Sequence, residues 1–283
     1  MKFTKMHGTG NDFVVIDCFG ADGVSIADEA ASRAVELCNR NFGIGGDGVI
    51  LVMRGKETAF QMRMYNPDGS EAEMCGNGIR CFAKFVVDRD MTGGELTVPV
   101  ETGAGLLVVN GIKGADGKVA SVRVDMGEPV LIPSRIPTTL GADPGPIVDE
   151  PLTVGDRTLR FTLVSMGNPH AVTFVSSVRD FPVHEIGPLV EKHPVFPRRT
   201  NTEFIEVLND HEVNFRVWER GAAETLACGT GACASAVACA LNHHTGRHVL
   251  VHLPGGDLDI EWSEADNHVY MTGPAVEVFE GEI

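Results

Sequence analysis

The chain has 283 residues, 43% of them apolar, enough to bury a core in one large or two ordinary domains and too many for a disordered chain. A formal net charge of −16, with no Lys/Arg cluster, excludes a nucleic-acid partner, because such proteins neutralise phosphates with basic patches. The amino terminus lacks the apolar run of a signal peptide, and no apolar stretch reaches the roughly 18 residues a bilayer requires, so a cytoplasmic protein without a membrane partner is expected.

In chain order, a strand is predicted at 13–16, then a helix over 25–40 that opens on a capping-box-like Ser25 and Asp28. Strands follow at 49–52 and 60–65, and then a helix over 79–87 in which only Arg80 and Lys84 are charged. Strands at 106–109 and 119–124 lead to a Pro-, Gly- and Asp-rich surface loop over 133–151. Strands at 161–164 and 171–175 precede a short helix over 183–192, interrupted by Gly187-Pro188. Strands at 204–207 and 213–218, a helix over 232–241 and a strand at 249–253 complete the series. The residues of the 232–241 helix are all apolar or small. A helix apolar on all sides must be surrounded by protein, and in a strand-rich chain the surroundings are a curved sheet.

Two segments repeat. Arg63-Met-Tyr-Asn-Pro-Asp-Gly-Ser-Glu71 lies over Arg216-Val-Trp-Glu-Arg-Gly-Ala-Ala-Glu224, and each runs into a Cys-Gly-Xaa-Gly: Cys75-Gly-Asn-Gly78 and Cys228-Gly-Thr-Gly231. In both, a glutamate stands four positions before the cysteine and an aromatic ten before it. The fold class is therefore α/β (α+β): two pseudo-symmetric halves from an internal duplication, each a curved, mostly antiparallel, partly closed sheet around a central helix. Residues 1–126 are expected to form the half carrying Cys75, and 127–272 the half carrying Cys228, with the active site expected in the cleft between them.

The seven cysteines show no Cys-x-x-Cys and no zinc-like spacing, so no metal is expected and most are buried thiols. Cys75 and Cys228 differ, because each stands at a helix start, where unpaired N–H groups and the helix dipole stabilise a thiolate and lower a pKa of about 8.5 towards neutrality. The glycines let a carboxylate approach the same amides. Two such ends would hold one carboxylate with a thiol on each face of its α-carbon, an arrangement suited to removing a proton from one face and returning it to the other.

On these residues the chain closely resembles diaminopimelate epimerase. The resemblance runs through Met6-His-Gly-Thr-Gly-Asn-Asp-Phe13, Phe42-Gly-Ile-Gly45, Tyr65-Asn-Pro-Asp-Gly-Ser70, Met74-Cys-Gly-Asn-Gly-Ile-Arg-Cys-Phe82 and Val164-Ser-Met-Gly-Asn-Pro-His170. It continues through residues 196–201, Glu219-Arg220-Gly221, Ala227-Cys-Gly-Thr-Gly-Ala232 and Met271-Thr-Gly-Pro-Ala275. It implies a cofactor-independent epimerase interconverting LL- and meso-diaminopimelate in lysine and peptidoglycan precursor biosynthesis, commonly homodimeric. It also implies that residues 273–283 join the half carrying Cys75, through a last strand at 276–279 that returns to it.

By the same resemblance Cys75 and Cys228 are the acid/base thiols, and the amides of Gly76, Asn77, Gly229 and Thr230 hold the reacting carboxylate. Asn66, Asn168, Asn201 and Arg220 bind the distal amino-acid head; Asn11 and Glu219 surround the reacting centre and its ammonium group; His170 tunes the thiols. Taken alone, Asn11, Asn168 and Asn66-Pro-Asp-Gly69 are turn sequences, and Glu219-Arg220 is a solvated pair. Two positions depart from the family pattern: Gly48 stands where many members carry Gln, and Ala223 replaces a glycine, which brings strain if φ there is positive. A proline racemase-like enzyme of the same superfamily, or a relative that binds amino acids without catalysis, are the alternatives.

Overall fold

A computed structural model describes residues 1–141 and 144–283; the two positions between them belong to the loop expected over 133–151 and lie outside the described residues. It contains two compact units, Met1–Asp125 with Thr272–Ile283, and Met126–Met271.

The first unit holds β1 (Lys2–Gly8), β2 (Asn11–Asp17), α1 (Gly23–Ser32), α2 (Ala34–Cys38), β3 (Gly48–Arg54), β4 (Phe60–Tyr65), β5 (Glu71–Ala72), α3 (Gly76–Asp88), β6 (Thr97–Thr102), β7 (Gly105–Lys113) and β8 (Val119–Asp125). β1 pairs antiparallel with β2, β2 parallel with β3, β3 antiparallel with β4, and β4 parallel with β6; β6, β7 and β8 form an antiparallel meander. The C-terminal strand Val276–Glu282 lies antiparallel to β1.

The second unit holds β9 (Glu150–Val154), β10 (Arg157–Ser165), β11 (Pro169–Phe174), α4 (Val183–Glu191), β12 (Asn201–Val207), β13 (Glu212–Glu219), β14 (Ala223–Glu224), α5 (Gly229–Leu241), β15 (His248–Leu253) and β16 (Gly256–Trp262), and the unit boundary falls within β17 (Val269–Pro274), after Met271. Its pairings run in the same order: β10–β11 antiparallel, β11–β12 parallel, β12–β13 antiparallel, β13–β15 parallel, β15–β16 antiparallel. The duplication reaches single residues. Tyr65 faces Glu71 across β4–β5 as Trp218 faces Glu224 across β13–β14. Arg63 grips Glu71 through Nε (2.6 Å) and Nη2 (2.9 Å), and Arg216 grips Glu224 in the same bidentate way at 2.6 and 3.0 Å.

Each unit wraps its sheet around its apolar helix. α3 packs on β1, β2, β3, β7, β8 and the C-terminal strand, and every residue from Gly76 to Val87 is buried. α5 packs on β10, β11, β12, β15 and β16. The charges on α3 are satisfied inside the unit: Lys84 donates to Asp88 (2.7 Å) and to the Val119 carbonyl (2.6 Å). Among the described residues no helix is long and apolar enough to cross a membrane.

Two helices differ from expectation. The segment 25–40 forms two helices, α1 and α2, broken at Arg33, whose amide bonds back to Glu29 and Ala30. Ser25 lies inside α1 and caps nothing; the position before the helix is Asp22. Conversely, α4 runs unbroken through Pro188. It tolerates the lost hydrogen bond because Val183, Ile186 and Val190 are buried and because Gly187 seats it against Trp218, where an added Cβ would lie 2.5 Å from Cγ.

Candidate active site

Cys75 and Cys228 are the residues immediately before α3 and α5, in extended conformations of φ −140°, ψ 121° and φ −128°, ψ 107°. Their carbonyls accept the first helical bonds, from Ile79 and Ala232, each at 2.9 Å. The amides between, at Gly76, Asn77, Gly229 and Thr230, belong to the first turn and have no partner within the helix, which makes each end an acceptor of negative charge. The geometry supplies this chemistry twice.

In the first unit, Cys75 is half-buried and its thiol donates to Asn11 Oδ1 at 3.7 Å. The Asn11 amide is held at both ends. Its Nδ2 donates to Asp47 Oδ2 (2.7 Å), and its Oδ1 accepts from Asn77 Nδ2 (3.2 Å). Asn77 is oriented in turn by the fully buried Arg80 guanidinium, which donates to its Oδ1 at 2.9 Å. Asp47 is anchored by Arg40, which also grips Asp12. Burial works to raise the Asp12 pKa, but hydrogen bonds from Arg40 and Lys5 outweigh it and leave it at about 2. The orientation of the Asn11 amide, oxygen towards the sulfur, is thus dictated by a guanidinium on one side and a carboxylate on the other.

In the second unit, Cys228 is buried, and its Sγ lies 3.6 Å from Thr230 Oγ1. Asn168 Nδ2 donates to the same hydroxyl (3.3 Å), and Asn168 Oδ1 meets His170 Nε2 at 2.9 Å. The other ring nitrogen of His170 lies 2.7 Å from Glu203 Oε1, with both side chains fully shielded from solvent. Glu219 accepts a hydrogen bond from Thr225 Oγ1 at 2.5 Å. The expectation of a lowered thiol pKa is corrected for Cys228. Burial, then the charges of Glu219 and Glu203, push this thiol well above its ordinary value, while Thr230 opposes them. The half-charge of a helix end is outweighed by desolvation and two carboxyl groups. Cys228 is therefore held in the thiol form.

The remaining residues named from sequence have defined surroundings. Asn66 opens the turn closed by Gly69 N–H (2.9 Å) and donates from Nδ2 to Ser70 Oγ at 3.0 Å. Asn201 clamps two backbones: Nδ2 donates to the Pro169 carbonyl (3.1 Å), and Oδ1 accepts from the Arg220 amide (2.8 Å). The exposed Arg220 guanidinium donates to the Arg198 carbonyl at 3.3 Å. Ala223 has φ +62°, so the strain expected of a non-glycine there is present. A Cβ at Gly48 would lie 2.9 Å from Met64 Cε and 3.0 Å from the Tyr65 carbonyl, so β4 occupies the space a side chain would need. Sequence reasoning missed Asp47, Arg80, Glu203 and Thr225. The signals for two of them were visible as a lone arginine in an apolar helix and a carboxylate inside a strand run. Among the described residues no cluster of His, Cys, Asp and Glu could hold a metal ion.

A family model described as diaminopimelate epimerase matches residues 3–132 and 162–278. The diaminopimelate epimerase of Moorella thermoacetica is 54% identical over 286 residues, covering 100% of this chain and 99% of the relative. Among solved structures, a PhzF-family phenazine biosynthesis protein of Bacillus anthracis superposes with a TM-score of 0.70 at 17% identity, covering 100% of this chain and 98% of that one. A hydroxyproline epimerase of Agrobacterium vitis gives 0.68 at 17% identity, covering 100% and 90%. These two likenesses concern the fold alone.

Proposed function

Because the chain belongs to the diaminopimelate epimerase family, we propose that it interconverts LL- and meso-diaminopimelate through the two thiols at its duplicated helix starts. The observation that carries the reading is that each unit has a cysteine immediately before a buried helix, beside first-turn amides that have no partner within the helix. The thiolate of one cysteine takes the α-proton, and the electron pair left behind is delocalised into the substrate carboxylate. The second thiol delivers its own proton to the opposite face, so the sulfurs exchange protonation states over one turnover. Carbanions α to an amino acid are very unstable in water, so donors aimed at the developing charge have to replace solvent. Gly76, Asn77, Gly229 and Thr230 supply them. Glu219 takes the ammonium group beside the reacting carbon, and Asn66, Asn168, Asn201 and Arg220 take the distal head.

The identity to the Moorella enzyme favours this reading over a proline racemase-like one. A cytoplasmic homodimer is part of the proposal. The test is α-proton exchange and epimerisation of LL-diaminopimelate in deuterated water, with proline as the control substrate. Cys75→Ala and Cys228→Ala each lose about 10²- to 10⁴-fold, the usual worth of a placed acid or base. Near-wild-type turnover in either variant sinks the two-thiol assignment, and binding without any exchange identifies a protein that has lost catalysis.

A further inference from the structure

We propose that Glu203 is a positioning residue for this reaction: through His170, Asn168 and Thr230 it fixes the direction of a hydrogen-bond chain that ends on the Cys228 sulfur. The inference rests on the functional reading above. The chain is continuous, from Glu203 Oε1 to His170 Nδ1 (2.7 Å), His170 Nε2 to Asn168 Oδ1 (2.9 Å), Asn168 Nδ2 to Thr230 Oγ1 (3.3 Å) and Thr230 Oγ1 to Cys228 Sγ (3.6 Å).

An imidazole and an amide each have a donor end and an acceptor end, so something must decide which way each one faces. Glu203 is a carboxyl on β12 with no solvent exposure, and its second oxygen, Oε2, is buried without a hydrogen-bond partner. Facing His170 Nδ1 at 2.7 Å while Nε2 meets the Asn168 amide oxygen at 2.9 Å, it permits two proton arrangements. Either a carboxylate accepts from an imidazolium, or a carboxylic acid donates to a neutral ring. Both place the same two protons on the pair, both leave it without net charge, and both put a hydrogen on His170 Nε2. The alternative tautomer, with Nε2 bare, would need a second donor where Asn168 offers an oxygen. Burial raises the Glu203 pKa against the pull of His170, and whichever arrangement holds, the hydrogen on His170 Nε2 is the same.

The consequence travels outward. With Nε2 protonated, Asn168 must present Oδ1 to the ring and Nδ2 to Thr230. Thr230 then accepts from Asn168, and its own hydroxyl hydrogen is left for the Cys228 sulfur. A reversed Asn168 amide would instead accept that hydrogen and draw it off the thiolate. Donation along a chain strengthens each successive bond, so the last donor gains from the first. Thr230 thereby stabilises the thiolate that Cys228 becomes after giving up its proton, at a site where burial and Glu219 oppose ionisation.

The first unit shows the opposite setting at the matching place. Phe13 and His170 hold the same register position, opposite Gly48 and Asn201 respectively. Asn11 and Asn168 each stand two residues earlier. Asn11 is turned by Asp47 so that its oxygen faces Cys75, whereas the Glu203–His170 pair turns Asn168 so that its nitrogen faces the Cys228 side. One duplicated asparagine thus serves one thiol as acceptor and the other through a donor.

The test is the ¹⁵N spectrum of the His170 ring in the intact protein, together with kinetics of Glu203→Gln and Glu203→Met. In the wild type His170 Nε2 carries a proton. In Glu203→Gln the amide nitrogen donates to Nδ1, the tautomer persists and kcat stays within several-fold. In Glu203→Met nothing holds Nδ1, the ring populates both tautomers and kcat falls about 10- to 100-fold, the worth of a hydrogen bond to a charged group, while KM moves less. A bare Nε2 in the wild type overturns the proposal even if Glu203→Met fails to fold. Wild-type kcat in folded Glu203→Met, or a Gln variant as slow as the Met variant, overturns it as well. The spectrum needs no substrate, so a wild type that does not epimerise diaminopimelate would end the functional reading without deciding the tautomer.

Discussion

The duplication makes a paired prediction at the third residue of each central helix, Gly78 in α3 and Gly231 in α5. Replacing either by alanine gains about 1 kcal/mol of helix propensity. What the new methyl meets differs. At Gly78 it lies 3.1 Å from Ile50 Cδ1, 3.4 Å from Cys75 Cβ and 3.6 Å from Met64 Sδ. The nearest of these is the end of a flexible apolar side chain that needs to move a few tenths of an ångström, so Gly78→Ala should be neutral to about 1 kcal/mol stabilising.

At Gly231 the methyl lies 2.9 Å from Glu203 Oε1, 3.2 Å from Cys228 Sγ and 3.2 Å from Phe215 Cζ. The carboxyl oxygen cannot retreat freely, because it is buried and bonded to His170. Overpacking costs about 1–3 kcal/mol, and loosening that hydrogen bond adds about 1 kcal/mol. After the propensity gain, Gly231→Ala should lose about 1 to 3 kcal/mol, lowering Tm by roughly 2 to 8 °C. Thermal unfolding followed by circular dichroism, with urea titration alongside, measures both variants. Equal shifts for the two glycines, or a larger loss at Gly78, would refute the reasoning from local space.

Three further outcomes are expected. Ala223→Gly relieves a left-handed backbone worth about 1 kcal/mol but loosens the unfolded chain by about as much; its Tm should be unchanged or slightly raised, and a clear fall would mean that φ +62° carries no strain. Cys81 and Cys239 are fully buried, and burial pushes both thiols up to about 12. Stability is therefore full below the unfolded value near 9 and declines as pH rises from there through the folded value, by up to about 1.4 kcal/mol per pH unit for each thiol. Urea unfolding of the wild type and the Cys81→Ala/Cys239→Ala variant at pH 8 and 10.5 should show a smaller alkaline loss in the variant, and equal losses would refute the assignment. Glu219→Gln removes one of the charges that, after burial, hold the Cys228 thiol up. A ¹³Cβ titration of Cys228 should then move to lower pH while epimerisation slows, and an upward or absent shift would exclude Glu219 as a cause.

The repeat was legible because both copies keep the same chemistry at the same spacing. Arg63, Tyr65, Glu71 and Cys75 have counterparts in Arg216, Trp218, Glu224 and Cys228, and the pairings of β4–β5 and β13–β14 obey that alignment. The fold class and the buried central helices followed from it. Strands β1 and β16 were not read from sequence: in β1 the exposed Lys2 and the buried Lys5 interrupt the apolar signal, and in β16 Asp257, Asp259 and Glu261 dilute it on the solvent face. The break at Arg33 escaped because the 25–40 segment keeps helical composition across it.

Residue types and spacing alone were enough for the duplication and the two cysteines at helix starts, and the family came from the resemblance of the motifs around them. Those are local facts, written in contiguous residues. Tertiary structure alone decided how the Asn11 and Asn168 amides are turned, because Asp47 and Asn77 reach Asn11, and Glu203 reaches His170, from other elements far along the chain. It also decided that Cys228 rests as a thiol, since burial and the charges of separate strands act through space and leave no trace in a linear pattern.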